Sequence, residues 1–531
     1  MSLLRKAVPV LLVLLLAVAS LTVAAVTPAH RAPAAPAATS GPGSYPPMAP
    51  GAATVLPDFV GAPVAARPLP SAGVPQNPHL GPIPYSYVHD DSWNSDTANV
   101  RAPLGSDPQT FSSTLGMPDV LVADGSGGGM AFDRHGRVIY AFGAVGVSSM
   151  LLLDPASLEV LCSYPMESMN SSGLGNAYFF VDEHDRIVTG LGSDEIVTLR
   201  EGGTVQAPTL EPVPARHYDL SAVVPADDHL AGLLPDWQGR IWFQTAGMGA
   251  EAGPRVGVID PATWPEVEWA QLPQGEQISN GLAVTRTGSF VLTSSALYKF
   301  KVGHGGRPYR VWRAGYDHSV DKSRLGQLSL GSGTSPTVLG GGSYVAINDS
   351  GEHMNVLVFR TADRLQRGQR RLLGAFPTFE DAAGQADADS LLGYRRSIIA
   401  ENNYGYSWIF DPQTGVLSSQ ANLPGLERID VTRDGRLVKV WENDEVVSNT
   451  LPKLSTRTGL LYVIARQRDE QNGVDAYYWT AIDFRTGEVV WQKLAGTGVN
   501  YDGYWPGPDM GKDGTMYMAV YGGVVAIRDG D

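Results

Sequence analysis

Eight consecutive residues, His89-Asp-Asp-Ser-Trp-Asn-Ser-Asp96, put one imidazole and three carboxylates (His89, Asp90, Asp91 and Asp96) close together in the chain. Oxygen donors at that density can hold a hard cation, and an imidazole beside carboxylates can exchange protons. The spacing is not that of an EF-hand loop, which needs Asp at alternate positions, a central Gly and a terminal Glu. A polar loop that caps a larger structure accounts for the same residues. A second constellation, Glu401-Asn-Asn-Tyr-Gly-Tyr406, sets the carboxylate of Glu401 beside the amides of Asn402 and Asn403. Because Asn tolerates the left-handed region, turn chemistry alone can also explain it. A third set is dispersed: Asn176, His229, Asn280, Thr334, Arg396, Thr450, Tyr504 and Trp505, with Gly127 and Gly128, each stand eight to ten positions before one of a series of turns.

Those turns define the elements that must position the side chains. They fall at Gly136, Asp185, Gly239, Gly288, Gly342, Gly405, Gly459 and Gly514, with separations of 49, 54, 49, 54, 63, 54 and 55 residues. Each follows a short apolar run and precedes a second β-rich run, so Gly or Asp supplies the positive φ of a hairpin. One supersecondary unit repeated at this period points to a β-propeller. A later element recurs as well, in Leu152-Leu-Asp-Pro-Ala-Ser157, Val258-Ile-Asp-Pro-Ala-Thr263, Ile409-Phe-Asp-Pro-Gln-Thr414 and Ala481-Ile-Asp-Phe-Arg-Thr486. Its aspartate is expected to cap the turn between the last two strands of a blade through backbone amides. The expected fold is all-β, an eight-bladed propeller over residues 84–531. The last unit has room for only two or three strands, so a strand from residues 84–125 is expected to close the ring. In this fold the dispersed set lies where the first strands enter the central channel. Amides, hydroxyls, an imidazole, a guanidinium and aromatics there suit a small polar ligand, a glycan or a partner loop; equally, they can fill the channel with hydrogen bonds and water.

Composition narrows the classes. With 61 Gly, 38 Pro and 11 Trp in 531 residues the chain is turn-rich and aromatic, as blades are. A net charge of −15 excludes a general nucleic-acid binder, which needs a phosphate-neutralising stripe. The single cysteine, Cys162, sits in an apolar stretch and has no intramolecular partner. At the amino end, Arg5 and Lys6 precede an apolar run to Val26, so residues 1–26 read as a secretory signal peptide or an N-terminal membrane anchor. Residues 27–83, rich in Ala and Pro and nearly uncharged, read as a semi-rigid stalk without a core. The expected location is secreted or in the cell envelope, with the membrane touched only through the first segment.

Trp479-Thr-Ala-Ile-Asp-Phe-Arg-Thr-Gly-Glu-Val-Val-Trp491 resembles the quinoprotein-type repeat, and Asp513-Gly-Thr-Met-Tyr-Met-Ala-Val-Tyr521 resembles the next one. With Gly331-Ser-Gly-Thr-Ser-Pro-Thr337 and Pro452-Lys-Leu-Ser455, these stretches are similar to a group of exported actinobacterial, quinoprotein-like propellers. That resemblance implies a fold and a compartment more firmly than an activity. Quinoprotein alcohol dehydrogenases set a disulfide of adjacent cysteines over a PQQ cofactor, and a chain with one cysteine departs from that pattern. Ile278-Ser-Asn-Gly-Leu-Ala-Val284 is similar to the Asn-Gly-Leu segment of gluconolactonase-like propellers, where the asparagine ligates a metal. The matching residue here is Asn280, which makes calcium or zinc the cofactors to consider; no cofactor is firmly implied.

Two functions follow. The first is a non-enzymatic envelope propeller that presents a polar funnel to a ligand or partner. The second is a metal-assisted hydrolase or lactonase with a cation held in the channel by Asn280 and carboxylates. Whether the protein is an enzyme stays open at this point.

Overall fold

The computed structural model describes residues 51–530 apart from 116–128, 145–146, 167–177, 250–252, 319–325, 328–330, 380–390, 412–415 and 504–505. The described chain forms eight sheets arranged as the blades of a propeller, each built on four antiparallel strands, with two further strands on the sheet of blade 7 and a separate two-stranded hairpin. The innermost strands are Met130–Phe132, Phe180–Val181, Leu230–Pro235, Ala283–Thr285, Thr337–Leu339, Leu392–Tyr394, Lys453–Ser455 and Asp509–Met510, in blades 1 to 8. The apolar core lies between blades, where the alternating faces of neighbouring sheets meet. Its clusters follow the whole circle: Trp242 and Phe243 of blade 3 pack with Phe180 of blade 2 and Tyr298 of blade 4, and Tyr517 of blade 8 packs with Phe132 of blade 1.

The repeating turns have one physical cause. In blades 1 to 3 the aspartate that opens the inner hairpin turn accepts two backbone N–H groups and then the guanidinium of the residue four further on. Asp133 Oδ1 takes the amides of His135 and Arg137, both at 2.8 Å, and Asp133 Oδ2 takes Arg137 Nε at 2.5 Å. Asp182 with Arg186 and Asp236 with Arg240 repeat the pattern, each at 2.7 Å. Gly136 and Asp185 close these turns at φ 83° and 62°. The later aspartates also cap as expected: Asp154 accepts the amides of Ala156 and Ser157, and Asp483 accepts that of Arg485.

Blade 8 is finished from the other end of the chain. Gln109–Thr114 pairs antiparallel with Gly523–Arg528, inside the 84–125 window. Blade 6 departs from the expected register. Its inner turn joins Leu392–Tyr394 to Ser397–Glu401, with Arg395 at φ 53° where blade 2 uses Asp185 and the others glycine. Gly405 instead follows the second strand, ahead of an inserted hairpin, Ser407–Asp411 with Val416–Gln420. Counted at Arg395, the turn stands 53 residues after Gly342 and 64 before Gly459, so the 63-residue interval comes from counting to Gly405, and the insertion lengthens the interval that follows.

The stalk expectation needs correction for residues 51–83. Phe59–Gly61 adds a strand to the outer edge of blade 7 against Val489–Thr497, which covers backbone groups an edge would leave open. Arg67 and Leu69 donate their amides to Thr458 and Thr456 of the blade 7 turn, and Asn77 reaches Pro235 of blade 3 at 2.8 Å. Proline-rich chain is extended and keeps its carbonyls, so it can lie along a surface as a strap. Residues 1–26, and 27–50 of the stalk, lie outside the described residues. No helix among the described residues is long and apolar enough to cross a membrane.

Candidate functional site

The segment after the strap fills one end of the channel. The carbonyls of Tyr85, Ser86, Ser92, Trp93, Ser95 and Asp96 accept the amides of Phe132, Val181, Val284, Val338, Gly393 and Leu454 at 2.7–3.1 Å. Those donors belong to the innermost strands of blades 1, 2, 4, 5, 6 and 7, in ring order. The segment therefore winds round the axis as a hub and leaves as Thr97–Ala98, a parallel partner of Lys453–Ser455. All six donors lie in or beside the inner hairpins, so the hub closes the turn end of the channel and not the strand-entry end. Its composition suits this path: Asp90, Asn94 and Asp96 adopt φ of 67°, 55° and 52°, the left-handed region that Asp and Asn tolerate best. Asn94 Nδ2 bridges the carbonyls of Leu282 and Pro336, which ties blade 4 to blade 5.

The His89–Asp96 cluster sits inside this hub, nearly inaccessible to solvent, and the cation it surrounds is an ammonium. Lys453 Nζ lies 2.9 Å from Asp96 Oδ1, 3.2 Å from Asp90 Oδ1, 3.6 Å from Asp509 Oδ1 and 2.7 Å from the carbonyl of Val88. His89 Nδ1 is 3.2 Å from Asp96, and its ring packs against Tyr87 and Tyr178. Asp91 accepts Ser95 Oγ at 2.6 Å and the Trp93 amide at 2.8 Å. The charge of the cluster is thus balanced from within the chain. Lys453 and Asp509 carried no local signal, because they reach the hub from blades 7 and 8.

Burial sets the protonation here. It pushes Asp91 up to about 7 and, with Lys453 opposing it, pushes Asp509 up to about 7 and Asp90 up to about 6. Asp96 is held low: burial works against its charge, but Lys453 and His89 outweigh burial. A carboxyl raised in the folded chain keeps its proton where the unfolded chain has released one, so stability falls as pH rises through that interval. Stability is expected to decline from about pH 4, where free aspartates titrate, to about 7, where Asp91 and Asp509 do in the fold. Asp96 acts in the opposite sense in more acidic solution. Urea midpoints at pH 5 and pH 8 test this. The lower pH should give the higher midpoint, and Asp91→Asn should flatten the difference; equal midpoints would refute it.

At the strand-entry end the dispersed set divides. Thr334 and Thr450 do the same work in blades 5 and 7: each hydroxyl pairs with a Ser two residues earlier, at 2.8 and 3.0 Å, and accepts an amide of the second strand, from Asn348 and Ile464. Asn280 donates Nδ2 to the carbonyl of Gly333, clasping blade 4 to blade 5, and its own carbonyl accepts Gln244 Nε2 at 2.6 Å. A niche of ≈ 10 Å³ beside it is lined by Gln277, Asn280 and Thr334, about the room of one water. His229 is buried at the start of blade 3, and burial lowers its pKa. Arg396 is misplaced by the sequence reading. It lies on the blade 6 inner turn, at the opposite end, where it donates to the Thr432 carbonyl at 2.9 Å and stacks on Tyr344. Asn176, Tyr504, Trp505, Gly127 and Gly128 lie outside the described residues.

Glu401 ends the second strand of blade 6 at the strand-entry side and Asn402 follows it. Asn402 organises the loop: Oδ1 accepts the Tyr404 amide at 3.1 Å and Nδ2 donates to Pro424 at 3.2 Å. Tyr406, two residues beyond that amide, belongs to a buried network that sequence reasoning missed. Asp502 accepts Ser419 Oγ at 2.6 Å, Asn449 Nδ2 at 3.2 Å and Tyr406 OH at 3.3 Å, while Tyr406 also meets Tyr521 OH at 3.1 Å. Burial raises the Asp502 pKa. Three side chains distant from it in sequence converge on that carboxylate, so no local motif announces it. Among the described residues, the group of His, Cys, Asp or Glu side chains close enough to share a metal is Asp182, Glu183 and His184, on the blade 2 turn and not beside Asn280.

No family model matches the chain. An uncharacterized protein of Archaeoglobus fulgidus is 24% identical over 389 residues, covering 68% of this chain and 70% of that one. Among solved structures, a streptogramin B lyase is 12% identical, covers 79% of this chain and 97% of its own, and has a TM-score of 0.39. BamB from Moraxella catarrhalis is 14% identical with 65% and 92% covered and a TM-score of 0.33. Chaetomium thermophilum Sqt1, bound to the N-terminus of ribosomal protein L10, is 14% identical with 76% and 96% covered and a TM-score of 0.43. At these identities no activity or partner passes from them to this chain.

Proposed function

We propose that the protein is a binding propeller: a rigid, self-plugged ring whose strand-entry face receives a protein or glycan partner. The observation that carries this reading is the hub. Because residues 85–98 occupy the turn end of the channel and bury their ionisable groups against Lys453 and Asp509, the chemistry concentrated in the sequence is spent on holding the blades together. A propeller stiffened in this way loses little conformational freedom when a partner docks. At the opposite end Gln277, Ser279 and Asn280 remain partly exposed polar groups on a fixed frame, suited to contact across a face rather than to engulfing a ligand. The apolar run after Arg5 and Lys6 supports export, with the ring working in the cell envelope.

A photo-crosslinking side chain at Ser279 tests the reading in intact cells. Discrete adducts are expected from Ser279 and not from Arg436, an exposed residue on the outer turn of blade 6. Purified protein should not open lactones or esters. Asn280→Ala should lower stability by about 1 kcal/mol, the worth of one clasp, with no change in metal content. Lactone turnover that disappears in Asn280→Ala would replace this reading with the hydrolase, and adducts of equal strength from both positions would remove the strand-entry face as the docking surface.

A further inference from the structure

A cleft of ≈ 840 Å³ opens on the turn face between blades 7 and 8, away from both the hub and the strand-entry end. Ala66 and Pro68 of the strap form one wall, Ala102 to Leu104 of the chain leaving the hub form a second, and the inner turns of blades 7 and 8 bring Thr458 and Thr515. Three exposed guanidiniums line it, those of Arg101, Arg457 and Arg528.

Their electrostatic setting is unlike that of the turn arginines of blades 1 to 3. In blades 1 to 3 the arginine of each inner turn is neutralised by its own aspartate. The blade 7 turn, Ser455-Thr-Arg-Thr-Gly459, has no acid, and Arg457 has no hydrogen-bond or ion-pair partner among the described residues. Arg101 likewise has none, and its Cβ lies against Gly514 of the blade 8 turn. Arg528 is laid over the Phe111 ring, 5.2 Å from its centroid, an arrangement that leaves its edge nitrogens free to donate. The cleft also holds two carboxylates, and both are engaged. Asp529 accepts the amides of Leu104, Gly105 and Ser106 at 2.7–3.0 Å, and Asp513 accepts the amide and hydroxyl of Thr515 at 3.0 and 2.9 Å.

We propose that this cleft binds a small molecule bearing a multiply charged oxyanion, with Arg101, Arg457 and Arg528 as its donors. Guanidinium forks match phosphate and carboxylate oxygens two at a time. The volume falls within the range of small-molecule sites. In a chain of net charge −15, three guanidiniums without partners draw anions to this cleft over the rest of the surface.

Titration calorimetry of the full chain with inorganic pyrophosphate and, separately, with citrate tests the proposal, at ionic strength matched with sodium chloride. Saturable binding of one equivalent is expected, weakened about tenfold or more in Arg457→Gln and in Arg101→Gln, as for loss of a charged hydrogen bond. A response to pyrophosphate alone identifies a phosphate ligand, and a response to both probes identifies a compact polyanion recognised by charge and shape; either supports the site. No saturable heat from either probe, or affinity unchanged in the triple Arg→Gln variant, overturns it. Circular dichroism reports whether the triple variant folds. If it does not, the three single variants are read instead, and unchanged affinity in all of them is equally fatal.

Discussion

A chain lacking residues 51–114 is expected to yield no soluble, folded ring, although every strand of blades 1 to 7 that lies inside the cyclic repeat is still encoded. The deletion removes the outer strand of blade 8, whose register runs from Gln109 opposite Arg528 to Thr114 opposite Gly523. It also removes the hub, on which the innermost strands of six blades place an amide. What remains is a three-stranded blade with an open edge, a template for pairing with other copies. It also has six donors without their acceptors, and at about 1–3 kcal/mol each that loss is comparable with the about 5–15 kcal/mol by which a protein is usually stable. Co-expression of 51–115 as a separate chain should restore a soluble complex, because the contacts are non-covalent. Size-exclusion chromatography of the two preparations decides the matter. A monodisperse, fully β-structured product from the deleted chain alone would show that neither hub nor closing strand is needed.

The second large effect is expected at Lys453. Replacing it with Met keeps the length and much of the bulk of the side chain, but leaves Asp90, Asp96 and Asp509 around a site with no ammonium. Breaking a buried ion pair by removing one partner costs about 3–5 kcal/mol, and here one cation serves three carboxyls. The urea midpoint of Lys453→Met should fall accordingly. Adding Asp96→Asn and Asp90→Asn to the same chain should recover part of the loss, since the charges that needed compensation are gone, so the effects should be strongly non-additive. An additive triple variant, or a single variant within 1 kcal/mol of the parent, would mean that the hub is held by its backbone bonds alone.

Much of the ring was legible because turns are local. Asp133, Asp182 and Asp236 cap through amides two and four residues away, so the spacing that shows in the chain is the spacing that acts in the fold. Blade 6 escaped because Arg395 takes a positive φ without being glycine, and because an inserted hairpin brought Gly405 into apparent phase. The strap was misread for a related reason: proline and alanine report stiffness and the lack of a private core, and neither reports that blade 7 offers an open edge to lie on.

The site was legible in part. The density of charge in His89–Asp96 was visible, but its meaning depended on Lys453 and Asp509, which no local window contains. Asn280 resembled a metal ligand in its local segment, whereas the clasp its Nδ2 makes to the Gly333 carbonyl of the neighbouring blade is visible only in the fold. Asp502, with Ser419, Asn449 and Tyr406, exists as a group only because three side chains distant from it in sequence fold onto it.

What the amino-acid order determined alone is therefore the periodic part of this protein: hairpins of fixed phase, alternating apolar faces and a last blade short of a strand. Those follow from φ, ψ and side-chain period, which are properties of a few neighbouring residues. Tertiary structure decided that the channel is plugged, that a lysine stands among the carboxylates of the hub, and that three arginines line a cleft whose two carboxylates are already engaged. Each of those outcomes depends on which groups lie within a few ångströms after the ring closes, where burial removes the solvent that would otherwise make charges indifferent to one another.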